Sequence, residues 1–151
     1  MPTFRETPYS AFNFLVEIEA GQGQEVVAGF SEVSGFNAEV TIAEYRAGNS
    51  KNNYVTKVLG IHKSGDITLK RGVIGATNVW EWLNEARAGE LSAKRDVVIK
   101  LLSEDRSDTV VTWKLRGTTP IKWTGPSLTA KGGGDVAMEE LVLSVENIEE
   151  N

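Results

Sequence analysis

One histidine, His62, stands between Ile61 and Lys63, and the chain contains no cysteine. A single imidazole with no thiolate and no second histidine cannot build a His/Cys metal site. No sequence neighbour offers the partner that general-base chemistry needs, so His62 reads as a structural or solvated residue in a turn-like stretch. Gly29-Phe30-Ser31-Glu32-Val33 opens like a nucleophile elbow, but valine fills the place of the closing glycine. Gly21-Gln22-Gly23-Gln24-Glu25-Val26 lacks the final glycine of a dinucleotide fingerprint and opens no helix. Gly132-Gly133-Gly134 is followed by neither Lys-Ser nor Lys-Thr, which a phosphate loop requires. Glu104, Asp105 and Asp108 lack the spacing of a calcium loop and read as a solvated hairpin tip. Glu139 and Glu140 are adjacent, so on a strand they face opposite ways and do not form a working pair. These residues predict no catalysis, no metal and no cofactor.

The elements that position them are strands around one helix. The helix is predicted over Thr77–Ala88, with Thr77 as N-cap and Gly89 as the left-handed residue that ends it. At about 100° per residue, Ala76, Val79, Leu83 and Ala86 form one stripe, widened by Trp80 and Trp82. Glu81, Asn84 and Glu85 point away from it. A helix this short is marginal alone in water, so it must lie on a sheet.

Composition sets the frame. The 151 residues are 40% hydrophobic and 25% charged, as in an ordinary globular domain. Lys and Arg number 16 and Asp and Glu 21, a net charge of −5 that argues against a nucleic-acid surface spread over the whole molecule. The first ten residues carry no apolar run after a basic start, so no signal peptide is read, and no stretch approaches a membrane-spanning length.

Residues 1–10 read as an N-terminal arm and 149–151 as a tail, with one domain between them over 11–148. Phe12, Phe14, Val16 and Ile18 alternate with polar residues and predict a strand with one buried face. Glu25–Val33 reads as a second strand. Phe36, Ala38, Val40 and Ile42 alternate with Asn37, Glu39, Thr41 and Ala43 in a third, which has a clean polar face of small side chains. Residues 47–53, Ala47-Gly48-Asn49-Ser50-Lys51-Asn52-Asn53, form a polar loop too long for a tight hairpin. Further strands are predicted over Val55–Leu59, Asp66–Lys70, Asp96–Leu102 and Thr109–Leu115. Others cover Ile121 to Trp123, Ser127–Lys131 and the C-terminal segment. In the last, Val136 and Met138 share one phase and Leu141, Leu143 and Val145 the other, a flip at Glu139-Glu140 that a bulge or a strand crossing between sheets would produce. Eight or nine strands and one helix without βαβ alternation make a mainly β, antiparallel sandwich or barrel.

Three strands present short hydrophilic faces: Asn37, Glu39 and Thr41; Asp66, Thr68 and Lys70; Ser127, Thr129 and Lys131. A sheet facing solvent explains them. So does the wall of a water-filled channel built from several subunits, since open sheet edges invite pairing with another chain and head-to-tail pairing about an axis closes a ring.

The chain resembles the tail-tube proteins of contractile phages and of phage-derived contractile injection systems. The resemblance rests on Pro8-Tyr9-x-x-Phe12-x-Phe14-x-Val16, on Gly29 to Phe36, on Glu44-Tyr45-Arg46-x-Gly48-Asn49, and on Leu59-Gly60. It continues through Gly65 to Gly72, Trp80-x-Trp82-Leu83, Pro120 to Gly132, and Val136 to Leu143. The Gly132–Gly134 run is richer in glycine than the family pattern. The resemblance implies a structural protein without catalysis. Its subunits form homohexameric rings stacked into a hollow tube that a contracting sheath drives through a target envelope, conducting DNA or protein cargo. Implied partners are further copies of the chain, the sheath, the baseplate hub or spike and tube-terminating proteins, with no membrane anchor. Assembly would take place in a bacterial cytoplasm, within a phage tail or an injection particle. On that reading the three hydrophilic faces become candidate lumen walls. The Ala47–Asn53 loop becomes a contact between subunits or rings, and Glu81, Asn84 and Glu85 become a sheath-facing surface. A single-ring baseplate or terminator protein is the alternative within the class, and a monomeric β-sandwich binding module the alternative outside it.

Overall fold

A computed structural model of the chain describes residues 6–20, 24–73, 78–132 and 136–151. The strands are β1 (Phe14–Ala20), β2 (Gln24–Ala28), β3 (Glu32–Ser34), β4 (Ala38–Tyr45), β5 (Thr56–Ser64), β6 (Ile67–Gly72), β7 (Arg95–Leu102), β8 (Thr109–Thr124), β9 (Met138–Ser144) and β10 (Asn147–Glu150). Helix α1 (Asn78–Arg87) and a short 3-10 turn (Leu91–Ala93) lie between β6 and β7. All recorded pairings are antiparallel. One eight-stranded sheet runs β2-β1-β7-β8-β9-β6-β3, with β10 also on β8, and β4 and β5 form a separate two-stranded ribbon. The mainly β, antiparallel architecture with one helix is therefore the observed one.

The long strand β8 joins two halves. Its residues 109–118 pair with β7, and 119–124 pair with β9. β9 and β10 follow one another along the same edge of β8. The sheet folds around Val16, Ile18, Ile67, Leu69, Val97, Ile99, Leu115, Leu141 and Leu143, with Val79 and Trp82 of α1 packed among them. Trp82 is 1% exposed, and its indole N–H donates to the Ala93 carbonyl at 2.6 Å, so the buried ring leaves no orphan donor. The helix ends as expected: Gly89 has φ 75°, and the Gly89 and Glu90 N–H groups donate back to Ala86 and Glu85. Thr77 and Ala76 lie outside the described residues, as do Gly21–Gly23 and Gly133–Gly134 of the two glycine-rich stretches.

Several expectations are corrected. The strand read over Glu25–Val33 is two strands, because the chain turns at Gly29–Phe30 and Ser31 binds the Lys70 carbonyl through both its backbone N–H and its hydroxyl. His62 lies within β5, opposite Val40, and not in a turn. The strands read over Thr109–Leu115 and from Ile121 to Trp123 are one: β8 runs through Pro120, and its register against β9 shifts between Pro120 and Lys122. Residues 127–131 form no strand. Residues 149 and 150 belong to β10, and the Asn151 backbone exchanges hydrogen bonds with Thr112 at 2.8 and 3.1 Å.

The apparent phase flip at Glu139-Glu140 has another cause. β9 pairs with β6 in unbroken register, from Gly72↔Met138 to Ile67↔Leu143. Glu139 is on the inner face with Leu141 and Leu143, where it accepts from Arg71 Nε and from Trp123 Nε1, the latter at 3.1 Å. Arg71 is 4% exposed and lies over the Phe30 ring at 5.7 Å. An ion pair in the apolar layer, not a bulge, makes the pattern look broken.

Candidate assembly surfaces

The apolar face of the third strand is uncovered. In the ribbon β4–β5, Val40, Ile42, Tyr45, Val58, Leu59 and Ile61 are all exposed, Leu59 by 75%. Register places Val40 opposite His62, Ile42 opposite Leu59 and Glu44 opposite Lys57, so these share one face. The other face carries Glu39 opposite Lys63, then Thr41, Ala43 opposite Val58, and Tyr45 opposite Thr56. Between Val40 and Ile42 the register shifts, with Gly60 and Ile61 opposing Thr41 alone. Thr41 Oγ1 donates to the Ile61 carbonyl at 3.1 Å. A Cβ on Gly60 would lie 2.5 Å from that hydroxyl, so this bulge requires glycine. A two-stranded ribbon is marginally stable in water at best, and exposed apolar clusters of this kind mark interaction sites.

Edge chemistry points the same way. Residues 119–124 of β8 have no described strand on the side away from β9, but Pro120, exposed Lys122 and the following Pro126 blunt that edge. The ribbon contains no proline.

The predicted lumen residues separate into three places. Glu39 and Thr41 share a ribbon face, and Asn37 lies just before it, exposed, donating to the Gly35 carbonyl at 3.4 Å. Thr68 and Lys70 lie on the outer face of β6, opposite buried Ile67, Leu69 and Arg71. Asp66 precedes this strand and is exposed. There Glu32, Lys70 and Glu140 stand in register across β3, β6 and β9, with Lys70 Nζ 3.6 Å from Glu32 and 3.1 Å from Glu140. Hydrogen bonding to Glu140 and the charge of Glu32 hold the lysine above its ordinary pKa. Ser127, Thr129 and Lys131 are exposed on an irregular segment, so that group is not a strand face.

The Ala47–Asn53 loop is the ribbon's tip. Ser50 N–H donates to the Ala47 carbonyl at 3.0 Å, Arg46 Nε to the Asn52 carbonyl at 3.1 Å, and Asn52 Nδ2 to the Tyr54 hydroxyl at 3.0 Å. On α1, Glu81 and Asn84 are exposed, but Glu85 is half-buried and receives a bond from Arg95 at 2.9 Å. Its charge is therefore already partnered. Trp80, 42% exposed, meets Trp123 edge-on at 5.0 Å beside them.

Sequence reasoning missed a groove of about 260 Å³ lined by Tyr9, Phe14, Val33, Phe36, Leu101 and Trp113. Phe36 and Trp113 touch at 5.1 Å between ring centroids. Nothing in the sequence brings these distant residues together. The ribbon had a signal: the run Val58-Leu59-Gly60-Ile61 is the pattern of a strand covered on both faces. Among the described residues no group of three or more His, Asp and Glu could hold a metal, and no helix is long and apolar enough to cross a membrane.

Comparison with known proteins follows this geometry. A search of curated protein sequences gives no match. Among solved structures, the chain is similar to one in the PVC sheath–tube complex of an extracellular contractile injection system in its extended state. That likeness has TM-score 0.81 and 27% identity over 97% of this chain and 93% of the other. A chain from the sheath/tube terminator of the same type of system gives TM-score 0.80 and 26% identity over 97% and 98%. Hcp1 from Flavobacterium johnsoniae shares the fold alone, at TM-score 0.53 and 14% identity over 91% and 94%. The family model described as T4-like virus tail tube protein gp19 matches residues 10–149, so the chain belongs to that tail-tube family and is a structural component of contractile tails and injection systems.

Proposed function

We propose that six copies of this chain close into a ring, that rings stack into a hollow inner tube, and that the β4–β5 ribbon supplies the joining contacts. One observation carries this: in a tail-tube chain, the ribbon stands outside the core with apolar side chains uncovered. Hydrophobic burial is the main favourable term in association, and a further copy of the chain is available to cover the ribbon of every subunit. The half-paired outer face of β3–β6–β9, with Thr68 and Lys70, and the Glu39–Thr41 face of the ribbon are the surfaces best suited to a water-filled bore. The tube has no catalytic role on this reading. Protein or DNA cargo passes through it, and assembly takes place in the cytoplasm before the particle is complete.

The sheath contact is proposed at the exposed side of α1, through Glu81 and Asn84 with Trp80 beside them; Glu85 contributes less because Arg95 already holds it. Exposed ion pairs are individually weak, which suits a tube that must slide free on contraction.

Sizing chromatography with light scattering tests the reading. Rings and longer species at high protein concentration support it, and a monomer at every concentration overturns it. The likeness to a chain of a tube-terminator assembly supports a second reading, a single ring that caps a tube. Negative-stain microscopy of the purified protein separates the two: tubes support the first and isolated rings the second.

A further inference from the structure

We infer that the Ile42–Leu59 face of the ribbon seats in the Tyr9–Phe14–Phe36–Trp113 groove of a neighbouring copy. The inference rests on the tube reading and names the contact that reading requires. Two unmatched surfaces occur on one chain. The groove is apolar and open, and its one charged lining residue is Glu32. The ribbon face is apolar at Val40, Ile42 and Leu59, and Lys57 follows next along it, opposite Glu44. Lys57 stands opposite Glu44 and Glu32 opposite Lys70, so each apolar surface is edged by a pair of opposite charges and carries no net charge that repels the other.

The groove cannot be filled by its own chain's ribbon. Phe36 lines it, and Ile42 is six residues further along, about 20 Å away on an extended strand. β4 stays paired with β5 from Ala38 to Tyr45, across the bulge at Thr41, so the ribbon does not fold back to bring the Ile42–Leu59 patch to the groove at its own root. Contact in trans is head-to-tail, ribbon to groove, and such contacts repeat around a ring or along a stack. The surface offered is one a neighbour reaches freely, since Ala11 at the groove and Leu59 on the ribbon are both exposed.

The absence of cysteine makes the test clean. The double variant Leu59→Cys with Ala11→Cys, assembled and then oxidised, should give a ladder of covalent oligomers on a non-reducing gel. Each single variant should stay monomeric on that gel, because identical positions do not meet in this contact and disulfides form only where Cα atoms come within about 7 Å; dimers from a single variant would count against the contact. Circular dichroism of each variant fixes that the monomer is folded. Assemblies visible by negative stain without a ladder would overturn the groove contact and leave the tube reading standing. A folded parental chain that never assembles would overturn both. A second variant, Leu59→Asp, places a charge on a surface-exposed position. It should leave monomer unfolding unchanged and raise the concentration needed for assembly at least tenfold; unchanged assembly would count against the contact.

Discussion

At the scale of single residues, the buried pair Arg71–Glu139 is the feature with the largest expected energetic effect. Removing one partner leaves an uncompensated charge in the apolar layer, which costs about 3–5 kcal/mol. Arg71→Ala should therefore lower the urea midpoint by the equivalent of about 3 kcal/mol, and a change below about 1 kcal/mol would show that Glu139 finds water instead. The β7–β8 turn gives a pH prediction. Asp105 accepts from the Ser103 hydroxyl at 2.5 Å and from Ser107 at 2.7 and 3.1 Å, which lowers its carboxyl from the ordinary 3.8 to about 2. Because the folded-state value is depressed, the turn's contribution is complete above pH 3.8 and fades as pH falls through about 2. An NMR titration should place the Asp105 midpoint there, and Ser103→Ala should move it back toward 3.8.

At the scale of elements, the ribbon is separable from the core. Its tip is held by bonds within the loop itself, from Arg46, Ser50 and Asn52. Deleting Gly48–Asn53 should leave thermal unfolding within a few degrees of the parent while abolishing stacking, as seen by light scattering; normal polymerisation would deny the loop that role. Much of the element pattern was legible in advance. The alternation of β1 and β7, the α1 stripe and the Gly89 cap follow from periodicity and local backbone chemistry, which one chain contains entirely. β4 misled because alternation says which side chains share a face and not what covers them, and no described element of the chain covers this face. The strands read over Thr109–Leu115 and from Ile121 to Trp123 are one, because β8 runs on through Pro120 with a shift of register against β9, which pairing shows and residue types do not. Glu139 suggested a bulge because composition alone cannot reveal that Arg71 stands directly opposite it on the neighbouring strand. The candidate lumen faces were legible for Thr68 and Lys70, and not for Ser127–Lys131, where alternating residue types occur without strand pairing.

At the scale of the whole molecule, each copy brings a net charge of −5 to any assembly. Like net charges oppose stacking, and salt screens them over about 8 Å at physiological ionic strength. Raising salt from 20 to 300 mM should lower the concentration at which tubes form, because apolar contact is not weakened by screening. The opposite trend in light scattering would mean that ion pairs dominate the joints. The ribbon's position has a further consequence. With the ribbon-to-groove contact proposed above acting between rings, a growing stack has two chemically unlike tips, one bristling with bare hairpins and the other with vacant sockets. Elongation from a given platform then has a single sense, and a stopper shaped for one tip finds nothing to grip on the other.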